Sequence, residues 1–308
     1  MTMHERVVAR PASGAGDFAR LYDLAAQAPD HVLHLADLPW RLASPSSLVP
    51  ERIRLWETPD GDLLAWAMLQ FSWHCLDYAV RSDSRAAGLD AAILGWVTER
   101  LGEESAERGE PLPFYVSARN GDETRIAAVI AAGFLADDWS YVHLVRDLDE
   151  PIPEPVLPDG FSIRSLAGED EVDAYVAMHR AAFDSTSMTA EWRRATLRDP
   201  HYDPTLDLVA ITAGGDLAGF CVGWLTPPLP TLSGQRVAQV EPLGVHPAHQ
   251  RAGLGRALLL EIFRRARALG AVHIEVDTVS YEEPAQETYA AVGFRQVYEA
   301  PFFFRSFG

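Results

Sequence analysis

The chain has 308 residues, 48% of them hydrophobic and 23% charged, with a formal net charge of −18. That length accommodates two domains of about 150 residues, each able to bury a core, and the composition is that of an ordinary soluble globular protein. The acidic balance argues against a nucleic-acid partner, no apolar run reaches the ~20 residues of a membrane helix, and Met1 to Phe18 has no hydrophobic signal core, so the expectation is a cytoplasmic protein with no membrane partner.

In the first half, a turn at Pro59 to Asp62 is followed by two strands, a helix, a strand and a helix that ends at Gly133-Phe134. The segment Asp149 to Gly160 is rich in proline and reads as a stiff, extended linker. Beyond it, Phe161 to Leu166 is a strand, and Asp170 to Phe183 is a helix with Val172, Tyr175, Val176 and His179 roughly in register. The pattern breaks at Asp184 to Met188, and Thr189 caps a new helix through Trp192. Leu206 to Ile211 and Leu217 to Leu225 form a hairpin, and Thr226 to Gly234 is a loop. The apolar run Val237 to Val245 reads as a strand, a helix runs on from Ala257, Ala271 to Thr278 is the next strand, and Pro284 to Val292 is a helix closed by Gly293-Phe294.

Between the Val237–Val245 strand and the helix from Ala257 stands Gln250-Arg251-Ala252-Gly253-Leu254-Gly255-Arg256. Glycines there let a ligand approach a helix N-terminus whose N–H groups and dipole favour phosphate. A dinucleotide loop would have a third glycine where Leu258 stands, and a phosphate-binding Gly-Lys-Ser/Thr is absent. The segment resembles the Q/R-x-x-G-x-G/A pyrophosphate loop of the GNAT superfamily of N-acetyltransferases. Val240 to Pro247 is similar to that superfamily's fourth strand, which splays from its neighbour. Pro242 lacks an N–H and Gly244 tolerates unusual dihedrals, so an irregularity is expected there. Ala285, Tyr289, Gly293 and Phe294 match the closing A-x-x-x-Y-x-x-x-G-F signature; Glu282 departs from it by replacing a common asparagine.

The chain also repeats itself. Arg125 to Phe134 echoes Glu287 to Phe294, with Gly133 and Gly293 in corresponding places, and Arg85 to Leu89 echoes Gln250 to Leu254. The expected fold is α/β (α+β): two tandem GNAT-like domains, each a mixed, mostly antiparallel sheet with helices on both faces and a cofactor cleft between splayed strands 4 and 5. Residues 1–149 form a degenerate N-terminal domain, 150–160 a linker and 161–308 the catalytic domain. Degeneracy is read from Asp90, a carboxylate where the second loop has Gly255, and from Val129 where the second half has Tyr289. Arg85 retains the capacity to bind an anion.

The resemblance implies acetyl-CoA as cofactor, held by Leu243, Gly244 and Val245 on the strand and by Gln250, Arg251, Ala252, Gly253, Leu254, Gly255 and Arg256 in the loop. A backbone N–H of Val245 or Gly244 would face the developing oxyanion. Tyr289 matches the tyrosine that protonates the leaving thiolate, and Glu241 the position from which many members remove the amine proton; Glu275 and Asp277 compete for that role. Arg264, Arg265 and Arg267 read as charges complementing the helix C-terminus, and His246 and His249 as solvated turn residues. Trp192, Trp224 and Phe302 to Phe304 are candidates for an acceptor wall or for plain packing. Cys75 and Cys221 read as small buried hydrophobes, and no Cys/His spacing fits a metal. The expected reaction is acetyl transfer to a primary amine of a small molecule, by a monomer or homodimer; a protein or peptide amine, or a non-catalytic CoA sensor, are the alternatives.

Overall fold

The computed structural model describes residues 7–27 and 34–308, without the side chains of 85–87. Residues 1–6 of the segment read as lacking a signal core, and the Arg85 side chain, therefore lie outside the described residues. The strands are β1 (Val8–Pro11), β2 (Ile53–Glu57), β3 (Leu63–Gln70), β4 (Cys75–Val80), β5 (Leu112–Ser117), β6 (Leu135–Asp147), β7 (Phe161–Ser165), β8 (Asp207–Thr212), β9 (Leu217–Leu225), β10 (Arg236–Val245), β11 (Ala271–Val279) and β12 (Arg295–Phe307). The helices are α1 (Ala15–Gln27), α2 (Leu38–Leu42), α3 (Leu89–Arg108), α4 (Glu123–Ala131), α5 (Val172–Phe183), α6 (Ala190–Leu197), α7 (Leu254–Ala268) and α8 (Glu283–Ala290). Among the described residues, no helix is long and apolar enough to cross a membrane.

The chain packs into two units. Unit 1 takes the chain up to Leu35, then Ser44–Val142 and Tyr298–Gly308; unit 2 takes Ala36–Ala43 and His143–Val297. The units therefore do not divide at the proline-rich linker. A short piece of the N-terminal half folds into unit 2, and the last strand of the chain folds into unit 1.

In unit 1 the strand order is β1-β2-β3-β4-β5-β12, then the first part of β6. Successive pairs from β1 to β4 are antiparallel, β4 and β5 are parallel over Cys75–Leu76 only, and β12 is antiparallel to β5 from Phe302↔Ser117 to Phe307↔Leu112. Alternation along β12 sends Phe303 and Phe307 into a core with Ile93, Val97, Phe114, Val116, Val129 and Phe134. Each buried phenylalanine is worth about 1.5–3 kcal/mol, enough to fix where the strand goes. Phe302 stacks on Trp139 with ring centroids 3.9 Å apart. Phe302 to Phe304 are thus residues of the unit 1 sheet. An alternating apolar strand reads the same whichever sheet it completes.

Unit 2 has the order β11-β10-β9-β8-β7, with the end of β6 beyond β11, where the Leu148 N–H bonds to the Val272 carbonyl at 2.9 Å. β7 to β10 are antiparallel and β10 and β11 parallel. A Cβ on Gly223 or Gly219 would meet Ile262 or Leu258 of α7, whereas one on Gly244 would meet Phe220 and Ala182 of α5. Helices therefore cover both faces, α7 on one and α5 on the other. At the start of α6, Thr189 Oγ1 accepts from the Trp192 N–H at 3.1 Å, the cap read from sequence.

Candidate active site

The site is built on a sheet that opens. β10 pairs with β11 from Arg236↔Ala271 to Gln239↔Glu275, and beyond Gln239 it pairs only with β9. The β9 register itself shifts between Val240 and Leu243. Pro242 sits in that gap and has no N–H to donate to a ladder. The His246 N–H bonds to the Ala218 carbonyl of the β9 side at 3.0 Å. By antiparallel alternation the Gly244 N–H faces β9 as well, while those of Val245 and Leu243 face the opening. Of the two donors left open by the sequence, Val245 has the required direction.

The three glycines around this opening have different physical reasons. Gly244 does not have a positive φ. What it supplies is room, because a Cβ there would stand 2.4 Å from Phe220 Cζ and 3.0 Å from Ala182 Cβ. Gly253 is the N-cap of α7 with φ 88°, a left-handed conformation that disfavours a side chain, and nothing lies within 4 Å of its would-be Cβ. Gly255 has neither constraint; a Cβ would meet Val245 Cγ2 at an ordinary 3.7 Å. The protein alone leaves room for a side chain at Gly255, so its absence keeps space beside the first turn of α7.

That first turn has no side-chain cap. Its N–H groups lack intrahelical acceptors by geometry and carry the positive end of the helix dipole. Arg251 is also left-handed, with φ 62°, and Gln250 Nε2 donates to the Val245 carbonyl at 3.3 Å, tying loop to strand. The uncapped turn and the space at Gly255 fit a phosphate-bearing group held by residues 250–255. Arg256 is otherwise engaged: its Nη1 donates to the Ala291 carbonyl at 3.1 Å, holding the end of α8. Arg264 pairs with Glu154 and Arg265 with Glu261, Ser165 and Thr205. His246 Nδ1 accepts from the Ala248 N–H at 3.2 Å within its turn, and His249 packs edge-on to Phe161.

Unit 1 carries the counterpart. Gly88, with φ 76°, caps α3 as Gly253 caps α7. Here the next turn holds Asp90, buried, whose Oδ1 accepts from Tyr78 Oη at 3.0 Å, and the Arg125 guanidinium lies 3.6 Å over the Tyr78 ring. The helix start already has its own carboxylate. Val129, in the place of Tyr289, is wholly buried in the core.

On the α5 face of unit 2, ionisable side chains gather where β10 leaves β11. Glu241 is half-buried, and burial pushes its carboxyl up to about 7; Arg41 opposes that rise and Asp277 adds to it. The Glu241 backbone carbonyl accepts from Trp224 Nε1 at 2.7 Å. Tyr289 is buried, with its ring edge-on to Phe294, and burial together with the charges of Glu241, Cys221 and Asp277 pushes its phenol up. Glu241 and Tyr289 therefore lie within one another's field.

Several members of this cluster were invisible in the sequence. Arg41 and Asp37 are buried, with Arg41 Nε 3.4 Å from Asp37 Oδ2. Trp40, on the same short helix, packs on Trp192 (5.2 Å between centroids), Trp224 (6.3 Å) and His179 (6.4 Å), and Trp192 Nε1 donates to its carbonyl. Trp192 and Trp224 are therefore aromatic packing around Trp40 beside the site. His179 is held neutral, its imidazole lowered to about 4 by burial and by Arg193 and Arg180. His143 Nδ1 lies 2.9 Å from Asp277 Oδ1. No local pattern in the sequence marks Trp40 or Arg41.

Residues 171–294 match the family model described as the acetyltransferase (GNAT) family. A mycothiol acetyltransferase of Segniliparus rotundus is 32% identical over 146 residues, 47% of this chain and 55% of that protein. One from Actinosynnema mirum is 29% identical over 241 residues, 76% of this chain and 72% of that protein. The chain thus spans about half the length of the first relative and most of the second. A tandem GNAT protein from the clavulanic acid biosynthesis pathway, solved without AcCoA, superposes with a TM-score of 0.67 at 16% identity, covering 98% of this chain and 99% of that one, a likeness of fold. Residues 171–294 are thus similar in sequence to the GNAT family, and the chain shares the fold of a tandem GNAT protein.

Proposed function

We propose that the protein is an N-acetyltransferase that moves the acetyl group of acetyl-CoA to a primary amine of a small molecule, with the chemistry in unit 2. The observation that carries this reading is the opening of β10 from β11, with Glu241 on its lip, the Val245 N–H facing into it and the uncapped α7 turn at its end. The names of the relatives, mycothiol acetyltransferases, support both the acetyl donor class and a small acceptor.

In this reading Gln250, Arg251, Ala252, Gly253, Leu254 and Gly255 hold the pyrophosphate, and Leu243 to Val245 hold the arm that leads to the thioester. Acetyl-CoA supplies an activated acyl group. A protonated amine cannot attack it, so Glu241, raised to about 7, takes the proton at neutral pH. The Val245 N–H donates to the carbonyl oxygen as negative charge develops there. Tyr289 Oη keeps its proton to well above neutral pH and gives it to the departing sulfur. The N-terminal loop plays no part, because Asp90 already supplies the anion at its helix start.

The test is mass-spectrometric detection of N-acetylated product from acetyl-CoA with a panel of small primary amines (cysteamine, putrescine, glucosamine). Acetylated amine with equimolar free CoA supports the proposal. Tight CoA binding without turnover on any amine would replace it with the sensor reading.

A further inference from the structure

The proton that Glu241 takes must leave before the next turnover, and Glu241 is half-buried, with its backbone carbonyl held by Trp224 and its carboxyl in the field of Tyr175 of α5. The parallel pairing of β10 with β11 ends at Gln239↔Glu275, so the next residues on the same face, Glu241 and Asp277, stand across the opening from one another. Gln239 Nε2 lies 3.5 Å from Asp277 Oδ2, on the same side of the sheet. From Asp277 a line of alternating carboxylates and imidazoles runs along β11 and β6. His143 Nδ1 is 2.9 Å from Asp277 Oδ1, His143 Nε2 is 3.8 Å from Glu275 Oε2, and Glu275 Oε1 is 3.1 Å from His273 Nε2. Exposure rises along the line: the side chains of Asp277 and His143 are 3% and 6% exposed, those of Glu275 and His273 24% and 26%.

Resting on Glu241 as base, we infer that Asp277, His143, Glu275 and His273 form a relay that carries the acceptor's proton from Glu241 to solvent. The amine N–H bond breaks as a Glu241 O–H forms; that proton passes by way of a water in the opening to Asp277 and then to His143 Nδ1, which carries no proton in the Nε2–H tautomer. An imidazole that gains a proton at Nδ1 can release a different one from Nε2, and Glu275 receives it after a side-chain rotation that closes the 3.8 Å gap. Glu275 passes it to His273 or directly to water. One proton moves from ammonium to solvent, and no oxidant or reductant is needed. Four positioning residues thereby reset one base. The titratable groups that face Glu241 from the other packed elements are Arg41 from α2, Tyr175 from α5 and Tyr289 from α8; none contributes a step to this line.

The test uses the full chain with acetyl-CoA and whichever panel amine the wild type turns over fastest. His143→Asn is expected to lower kcat about tenfold, to leave the KM for acetyl-CoA unchanged, and to regain activity when imidazole is added. Glu275→Gln, at a half-exposed position that leaves folding intact, is expected to lower kcat about threefold and to make the rate depend on buffer concentration. Wild-type kcat in both variants, or losses that neither imidazole nor buffer restores, would overturn the relay and leave Glu241 as base. A wild type inactive on every amine would instead remove the base reading and the relay with it.

Discussion

Phe220 fills the space where Gly244 would carry a side chain: a Cβ on Gly244 would lie 2.4 Å from Phe220 Cζ. Phe220 is wholly buried against α5, so it cannot turn into solvent to make room. Gly244→Ala is expected to cost about 1–3 kcal/mol in urea unfolding, through overpacking. The double variant Gly244→Ala, Phe220→Leu should recover part of that loss.

Gly255→Ala makes the opposite pair of observations. The new methyl meets Val245 at 3.7 Å and Thr288 at 4.0 Å, both ordinary contacts, so the melting temperature should stay within about a degree of wild type. Since backbone approach to the pyrophosphate is what the glycine permits, the KM for acetyl-CoA should rise about tenfold or more. A lower melting temperature with an unchanged KM would assign Gly255 to packing.

Glu241 couples activity and stability in opposite directions. A base must be deprotonated to act, so kcat/KM should rise with pH and level off above about 7. The folded carboxyl is raised above its ordinary 4.5, so the folded state binds the proton more tightly than the unfolded chain. Its contribution is fully present below the unfolded value and is lost as pH rises through the folded one. Glu241→Gln should reduce kcat/KM about a hundredfold, yet gain about 1–3 kcal/mol relative to wild type at ~pH 8 in chemical denaturation.

Arg41 opposes the rise of Glu241. Replacing it with methionine, which keeps the stem's apolar packing, should move the acidic limb of the kcat/KM profile to higher pH. An unmoved limb would place Arg41 outside the field of the base.

Local patterns were legible in the sequence. The Gln250 to Gly255 loop, the α8 tyrosine, the Thr189 cap and the β8–β9 hairpin each depend on residues within a few positions of one another, and each lies where the sequence put it. What could not be read was long-range. His143 and Asp277 are 134 residues apart, and no periodicity links them. Trp40 and Arg41 look like any apolar and basic residue until α2 is placed in unit 2. The destination of β12 depends on which sheet edge its alternating phenylalanines find. Gly244 was expected to matter for its dihedrals and matters for its lack of volume, a fact set by Phe220 on another strand.

The most direct measurement compares acetyl-CoA-dependent acetylation by the wild type with that by Tyr289→Phe, alongside CoA binding by calorimetry. The phenyl ring preserves the contact with Phe294 and removes only the proton donor. Under the acetyltransferase reading, acetylated amine from the wild type, a loss of kcat of about a hundredfold in the variant and an unchanged Kd for CoA are expected. Equal kcat in the two proteins, or no acetylated amine from the wild type, would contradict it.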